Sequence, residues 1–374
     1  MEYANFIAHC IEIARRGEYF VAPNPMVGAV LVGPNPDPSL KGREVILAEG
    51  WHEQFGGPHA EVNCFRCAEN AVRRTDVRCT KDYKDCTLFV NLEPCSHYGK
   101  TPPCAKMIIE KGVGRVVVGM LDPNPLVAGK GVQMLRDAGI DVVVGVMEQE
   151  CRELNKRFVC LHEKKRPYVV LKWAQTEDGF IDVRRTMENG QWKMENGKWT
   201  QNVHLNGALA ISTEETKKLV HKMRAENMAI MVGTRTVLLD NPRLMNTHWE
   251  GRNPIRVTLD RHHVIPADAR IFSDETEGIW QLGDIEKTIV YRDNTEWEFV
   301  LSDLAKRNIH SILVEGGTTL LNHILSTGIW DEIHVEVAPE LRIGDGVKAP
   351  DIQLPEEFEV VDGHRMYTLS SKNA

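Results

Sequence analysis

Two runs of alternating strand and helix patterns, separated by one short charged segment, are the feature that most narrows the folds open to this 374-residue chain. The first run ends near residue 150, and the second begins after Glu163-Lys164-Lys165-Arg166-Pro167. Because a domain commonly has about 100–200 residues, the length also favours two domains. Helices between successive strands imply sheets covered on both faces. The sequence therefore predicts two α/β domains, the first with a largely parallel sheet.

The periodicity of the apolar residues predicts the individual elements of both runs. In the first run we expect strands at 27–32, 44–49, 87–92, 115–120 and 141–146, and helices at about 2–17, 59–73, 103–111 and 131–138. In the second we expect strands at 168–173, 228–232, 255–259, 288–291, 311–314 and 332–337, and helices at 213–226, 302–308 and 318–326. Ser212 and Thr213 are suitable capping residues for the helix that begins there.

A short internal repeat interrupts the second run, because Met-Glu-Asn-Gly occurs twice between residues 187 and 200. Asn-Gly pairs favour tight hairpin turns, so the repeat predicts a surface excursion from the sheet. We expect an insertion near residues 183–207, without a catalytic role.

The composition excludes several classes of protein. The net charge of −8 argues against a general nucleic-acid binder, which needs a basic excess to neutralise phosphates. No apolar run approaches the roughly 18 residues of a membrane span, and the first residues lack a signal-peptide pattern. We expect a cytoplasmic protein that acts on small molecules, not on nucleic acid or membranes, and the sequence leaves a homo-oligomer possible.

The cysteines are distributed unevenly, since the chain has nine and none of them follows residue 160. An odd number of cysteines without an export signal disfavours a disulfide framework. Thiols concentrated in one half of a cytoplasmic protein instead indicate a metal site or catalysis in that half. They lie at positions 10, 64, 67, 79, 86, 95, 104, 151 and 160.

Three of the residues in this half form a pattern typical of a catalytic zinc site. His59, Cys95 and Cys104 supply three ligands and leave the fourth tetrahedral position open for water. Each cysteine follows a proline, and thiolates near the start of a helix are stabilised by its macrodipole. Glu61 lies two residues after His59, close enough to move a proton of that water. His-x-Glu followed by Pro-Cys and a second cysteine is the signature of zinc deaminases, although eight residues separate the cysteines here.

A second set of cysteines offers an alternative. Cys64 and Cys67, with Cys79 and Cys86, would make a closed structural zinc site. However, Cys64 and Cys67 fall in the middle of a predicted helix and lack the turn that such sites usually contain. The open site is therefore the favoured interpretation, and the remaining cysteines are expected to be core or surface residues.

The second half contains a candidate phosphate site. No Gly-x-Gly-x-x-Gly motif is present, but a predicted strand leads into Glu315-Gly316-Gly317-Thr318-Thr319 at the start of a helix. Glycines at such a turn expose backbone N–H groups to an anion. This pattern alone is weak, since many turns between a strand and a helix contain two glycines.

Several motifs resemble those of the bifunctional deaminase–reductases of riboflavin biosynthesis. They are Pro23-Asn24-Pro25-x-Val27-Gly28, Gly50-Trp51-His52, Pro58-His59-Ala60-Glu61, Leu92 to Cys104, Asp122-Pro123-Asn124-Pro125-x-Val127-Ala128-Gly129 and Val314-Glu315-Gly316-Gly317. The resemblance covers nearly the whole chain. It implies a cytidine deaminase-like α/β/α sandwich followed by a dihydrofolate reductase-like α/β domain. We assign the zinc-dependent deaminase to residues 1–150, a linker to 151–166 and the NADPH-dependent reductase to 167–374.

The resemblance implies two consecutive reactions on one pyrimidine ribosyl phosphate. Zinc-dependent hydrolysis removes an exocyclic amine, with Asn24 and His52 holding the base, and NADPH then reduces the ribosyl group to ribityl. Three alternatives remain open at this point: a zinc deaminase of another nucleobase or nucleotide fused to an unrelated reductase, a deaminase of nucleic-acid bases, and a zinc-stabilised binding protein without catalysis.

The same resemblance implies the residues of the reductase site. Those expected to contact the substrate are Lys172, Arg224, Leu244 and Glu315. Those expected to contact the cofactor are Ala174, Ser212, Thr236, Asp240, Gly316, Gly317, Thr318 and Thr319. Arg224 is a candidate bidentate partner of the substrate phosphate. Lys172, on an otherwise apolar strand, is a candidate group to polarise the ribosyl oxygen or imine.

Overall fold

The computed structural model describes residues 3–34, 44–75, 83–98, 102–125, 127–188, 191–194, 209–273 and 286–371. The chain forms two compact units, Met1–Lys165 and Arg166–Ala374. Among the described residues, no helix is both long enough and apolar enough to cross a membrane.

The first unit contains one five-stranded sheet. Its strands are β1 (Gly28–Pro34), β2 (Glu44–Trp51), β3 (Thr87–Leu92), β4 (Arg115–Met120) and β5 (Asp141–Val144). Its helices are α1 (Tyr3–Ala14), α2 (Ala60–Thr75), α3 (Cys104–Glu110), α4 (Lys130–Asp137), α5 (Glu148–Leu154) and α6 (Lys156–Lys164). All the strands predicted in this half are confirmed, with shifts of a few residues at their ends.

The order of the strands in this sheet is β2-β1-β3-β4-β5. β1 is antiparallel to both of its neighbours, whereas β3, β4 and β5 are parallel. The expectation of a largely parallel sheet therefore fails at β1. The reason is that residues 35–43, between β1 and β2, are too few for the crossover that a parallel pair requires.

Helices pack on both faces of this sheet, which confirms the predicted three-layer sandwich. Successive residues of β3 point to opposite faces, so Leu88 and Val90 belong to one apolar core and Phe89 to the other. The first core also contains side chains of α2, α3 and α4, among them Phe65, Ile108 and Leu135. The second contains side chains of α1, α5 and α6, among them Ile7, Ile13, Cys151 and Val159.

The segment 151–166, predicted as a linker, is instead helical up to residue 164. It contains the end of α5 and all of α6, and Cys151, Leu154, Val159 and Cys160 are buried. The prediction was wrong because it followed the charged residues of the segment, whereas its apolar residues recur at helical spacing and pack in the first unit. The division between the units falls after Lys165.

The second unit contains more strands than the first, and most of them form one large sheet. Its strands are β6 (Tyr168–Thr176), β7 (Phe180–Asp182), β8 (Arg185–Glu188), β9 (Gln191–Met194), β10 (Ala229–Val232), β11 (Ile255–Leu259), β12 (Thr288–Tyr291), β13 (Ser311–Val314), β14 (Glu332–Ala338), β15 (Val347–Lys348), β16 (Glu359–Val361) and β17 (His364–Ser370). Its helices are α7 (Glu214–Glu226), α8 (Thr234–Asp240), α9 (Trp297–Lys306) and α10 (Thr318–Thr327). α9 begins five residues before the predicted start, because Trp297 and Val300 add a buried first turn.

Eight of these strands form the main sheet, in the order β12-β11-β10-β13-β6-β14-β17-β16. The six strands from β12 to β14 are parallel, and β17 and β16 continue the sheet in antiparallel pairs. The carboxyl ends of β6, β10, β11 and β13 therefore lie along one edge, where ligands of open α/β sheets bind.

The repeat at 187–200 lies partly outside the described residues. Its first part forms a hairpin, in which β8 and β9 pair antiparallel with Glu188 opposite Gln191. This pairing confirms the predicted hairpin, whose Asn189-Gly190 turn is not among the described residues.

The absence of a side chain at Gly50 lets α2 approach β2. A Cβ atom at this position would lie 2.3 Å from the Cys64 backbone nitrogen and 2.8 Å from the Ala60 carbonyl oxygen. We predict that Gly50→Ala lowers the free energy of unfolding of the first unit by about 1–3 kcal/mol, since the backbone of α2 must move away. Chemical denaturation measures this change, and an unfolding midpoint equal to that of the wild type would contradict it.

Candidate functional sites

The three predicted zinc ligands converge in the first unit. His59 directly precedes α2, Cys95 follows β3 by three residues, and Cys104 is the first residue of α3. Their ligand atoms all lie within 4.8 Å of one another. His59 Nδ1 is 3.6 Å from Cys95 Sγ and 3.4 Å from Cys104 Sγ. A tetrahedral zinc ion with ordinary bond lengths separates a nitrogen and a sulfur ligand by about 3.6 Å, so these residues fit zinc.

The electrostatics of the two thiols also suit a metal site. The Cys104 backbone N–H, at the start of α3, donates to Cys95 Sγ at 3.3 Å. A hydrogen bond from the Cys104 thiol lowers the pKa of Cys95, and the same shared proton raises the pKa of Cys104. The hydrogen bond to Cys95 in turn raises the pKa of His59. The thiolate form of Cys95 is thus favoured, as expected for a cysteine beside the start of a helix.

Glu61 lies beside this cluster without belonging to it. The side chain is in the first turn of α2 and only 3% exposed. Burial raises the pKa of Glu61. A carboxyl group in this position can accept and return a proton next to the metal.

Asn24 and His52 contact each other next to the ligand histidine. Asn24 Nδ2 lies 3.0 Å from His52 Nε2, and His52 Nδ1 lies 2.9 Å from the Pro58 carbonyl oxygen. Because a carbonyl oxygen only accepts, Nδ1 of His52 carries the proton and Nε2 accepts from Asn24. Burial lowers the pKa of His52, which agrees with a neutral ring. The rings of His52 and His59 pack edge to face, with centroids 5.7 Å apart.

Glu93 is a residue of this site whose role the sequence analysis missed. Its buried carboxylate accepts backbone N–H groups of Asp122, Gly129, Gly131 and Val132 at 2.8–3.1 Å. Glu93 therefore holds the loop before α4 against the Pro94-Cys95 segment. The sequence contained a signal for this role. A glutamate between an apolar strand and Pro-Cys is expected to be buried, and a buried carboxylate requires hydrogen-bond donors.

The alternative cysteine site does not form among the described residues. Cys64 is buried and lies 3.5 Å from the Ala48 carbonyl oxygen, whereas Cys67 is exposed on the same helix. Burial raises the pKa of Cys64 well above its usual value, which disfavours a thiolate ligand. Cys79 lies outside the described residues.

In the second unit, a cavity of about 1150 Å³ lies at the carboxyl edge of the sheet. It is lined by most of the residues predicted for the reductase: Lys172, Ala174, Ser212, Arg224, Thr236, Asp240, Glu315, Gly316, Gly317, Thr318 and Thr319. Leu244 is different, because its side chain is 5% exposed and packs in an apolar cluster with Val232 and Val237. The structure therefore does not bring Leu244 to the cavity wall.

Arg224 and Glu315 form a bidentate ion pair in this cavity. Arg224 Nε and Nη2 donate to the two carboxylate oxygens at 2.9 and 2.7 Å, and Nη1 donates to the Met245 carbonyl oxygen at 2.9 Å. Burial opposes the charge on Glu315, but Arg224 outweighs it and lowers the pKa of that carboxyl. Arg224, which was expected to bind the substrate phosphate, is thus paired with Glu315 in this structure.

The start of α10 fits the phosphates of a dinucleotide. Gly317 occupies the capping position and provides no side-chain cap, so the first N–H groups of the helix remain directed at the cavity. A Cβ atom on Gly316 would lie 2.9 Å from Leu320 Cδ2. The close packing at this turn therefore favours glycine, as the sequence motif indicated.

Comparisons with known proteins agree with both sites. Residues 1–120 match the cytidine and deoxycytidylate deaminase zinc-binding region, and residues 167–360 match the RibD C-terminal domain. The riboflavin biosynthesis protein RibD of Aquifex aeolicus is 35% identical, over 93% of this chain and 90% of its own length. RibD of Escherichia coli is 32% identical, over 92% and 90% of the two chains.

Solved structures with the same two-unit chain are also similar. The diaminohydroxyphosphoribosylaminopyrimidine deaminase/5-amino-6-(5-phosphoribosylamino)uracil reductase of Thermotoga maritima is 33% identical, with a TM-score of 0.76 and 98% of each chain covered. A structure of Acinetobacter baumannii RibD is 30% identical, with a TM-score of 0.77 and the same coverage.

The folds and sites together define a zinc-dependent deaminase joined to an NADPH-dependent reductase. The chain belongs to the RibD family and is a bifunctional enzyme of riboflavin biosynthesis. An unrelated reductase is thereby excluded, because the family match extends through the second unit.

The zinc ligands can be tested by metal analysis of purified variants. We predict about one zinc ion per wild-type chain and less than a tenth of that for Cys104→Ser, because two ligands cannot hold the ion tightly. Cys67→Ser, on the exposed side of α2, is the matched control and should keep the full zinc content. Retention of zinc by Cys104→Ser and its loss from Cys67→Ser would favour the alternative site.

Proposed function

We propose that the two units act in sequence on one small molecule. The first unit deaminates diaminohydroxyphosphoribosylaminopyrimidine, and the second reduces the resulting 5-amino-6-(5-phosphoribosylamino)uracil. These are the two activities in the name of the similar Thermotoga maritima protein. The observation that carries the proposal is the convergence of His59, Cys95 and Cys104 beside the buried Glu61.

For the deamination, His59, Cys95 and Cys104 hold zinc. When bound, zinc acts as a Lewis acid that makes water a nucleophile at neutral pH. Glu61 takes a proton from the attacking water and passes it to the amino group, which leaves the ring carbon as ammonia.

Asn24 and His52 hold the base in this site. Their mutual hydrogen bond and the edge-to-face contact of His52 with His59 keep both side chains beside the metal ligands. A polar heterocycle requires fixed hydrogen-bonding partners of this kind, since an unpaired polar group costs binding energy.

For the reduction, the start of α10 binds the phosphates of NADPH, which supplies the hydride when bound. Lys172, on β6, directs its ammonium group at the ribosyl oxygen and stabilises the charge that develops there. Thr236, Asp240, Ala174 and Ser212 line the cofactor side of the same cavity. Arg224 acts by keeping Glu315 ionised and in place against the substrate.

We also place the enzyme in the cytoplasm. Two cysteines that act as metal ligands must stay reduced, and a cytoplasmic compartment maintains thiols. A homo-oligomer and the absence of nucleic-acid binding stay predictions of the sequence.

Glu61 provides the sharpest test of the deamination chemistry. We predict that Glu61→Gln reduces ammonia release by at least about 100-fold, because the amide cannot carry the proton. The zinc content should remain at the wild-type value, and so should NADPH oxidation when the deaminated intermediate is supplied. Glu69→Gln, on the same helix and half exposed, is the matched control. Ammonia release at the parental rate from Glu61→Gln would refute this role.

Chelation tests the separation of the two reactions. We predict that removing zinc stops ammonia release but leaves NADPH oxidation unchanged when the deaminated intermediate is supplied. The reason is that the residues lining the reductase cavity belong to the second unit and include none of the metal ligands. Loss of both reactions in protein that stays folded would show that the sites are not independent.

A further inference from the structure

The second unit contains a buried carboxylate for which neither the sequence analysis nor the proposed mechanism has a role. Glu336 lies on β14, is 0% exposed and does not line the cavity. β14 pairs in parallel with β6, with His334 opposite Lys172 and Glu336 opposite Ala174. Because alternate residues of a strand share a face, Glu336 and Lys172 lie on the same side of the sheet.

Both oxygens of Glu336 have partners. Ser212 Oγ donates to Oε2 at 2.6 Å, and Lys172 Nζ lies 3.8 Å from the same oxygen. His364 Nδ1 donates to Oε1 at 2.8 Å from the neighbouring strand β17. Burial would raise the pKa of Glu336, but Lys172 and these hydrogen bonds outweigh it and lower that pKa. Glu336 is therefore a buried anion with a complete set of donors.

Two of these partners lie in the wall of the reductase cavity. Lys172 comes from β6 and Ser212 from the segment before α7, so that no local structure joins them. Both residues contact the same oxygen of Glu336, whose side chain lies behind the cavity wall. This carboxylate therefore sets the distance between an ammonium group and a hydroxyl group on the cavity surface.

The charges around Lys172 leave Glu336 as its main counterion. The other carboxylate that acts on Lys172 is Glu315, which is partly buried and already forms a bidentate pair with Arg224. Lys172 is itself only 9% exposed. A buried ammonium group without an anion is strongly unfavourable, so the removal of Glu336 would displace the Lys172 ammonium group.

We propose that Glu336 is a positioning residue of the reductase, which holds the Lys172 ammonium and the Ser212 hydroxyl in the geometry needed for reduction, with His364 supporting it. This inference rests on the proposed role of Lys172. Glu336 touches neither substrate nor cofactor and acts only through the two residues of the cavity wall.

A double-mutant cycle tests the inference in the full-length enzyme. We expect Glu336→Gln to lower kcat of the reductase at least tenfold, while the KM for the deaminated substrate and the Kd for NADPH, measured by fluorescence titration, stay within about twofold. In a Lys172→Met background, the second substitution should lower kcat by clearly less than tenfold, because one of the two groups that Glu336 positions is already absent. Ammonia release from the first unit is the internal control, and Glu332→Gln, on the same strand, is the matched control.

The outcomes separate this inference from the proposed function. A wild-type kcat for Lys172→Met would refute the role of Lys172, whereas a loss for Lys172→Met with a wild-type kcat for Glu336→Gln would refute the inference alone. Additive losses in the double variant would also refute it, since a purely structural role predicts them. If Glu336→Gln fails to fold, His364→Phe provides the same cycle from the far side of the carboxylate, with a smaller expected loss of kcat that is again reduced in the Lys172→Met background.

Discussion

The burial of charged groups is the constraint on which both sites depend. A carboxylate removed from water is tolerated only where donors surround it. Glu93 meets this requirement with four backbone N–H groups, and it thereby holds the loop before α4 against the segment that carries Cys95. Glu315 and Glu336 meet it with Arg224 and with Lys172, Ser212 and His364. Each set of donors around a buried carboxylate also fixes the position of side chains that the two reactions require.

The two units place their reactive groups in the same way, on a connection between the carboxyl end of a strand and the start of a helix. Cys95 follows β3 and Cys104 begins α3, where a backbone N–H stabilises thiolate character. Gly316 and Gly317 follow β13 and expose the first N–H groups of α10. In one unit the partial positive charge at the start of a helix supports a metal ligand, and in the other it suits phosphate.

Much of this arrangement could be predicted, because it depends on local patterns. Short apolar runs predicted β11, β12 and β13 with the bounds that the structure has. The zinc residues were recognisable because His-x-Glu and Pro-Cys each combine a required residue type with a required backbone context. The linker was mispredicted, since a charged helix such as α6 and a charged linker differ only in the packing of a few apolar side chains. The antiparallel pairing of β1 with β3 and the core position of Leu244 likewise depend on neighbours distant in sequence.

The sequence by itself determined that the chain has two α/β units and that the cysteine-rich one carries a metal-binding pattern, and it predicted a phosphate site in the other. These properties follow from periodicity and residue chemistry, which act over a few residues. Only the tertiary structure decided which charges compensate one another. Arg224 and Glu315 are 91 residues apart, and Ser212 and Glu336 are 124 apart. Such pairs form because burial forces each charge to find a partner, and the identity of that partner depends on which strands the fold makes neighbours.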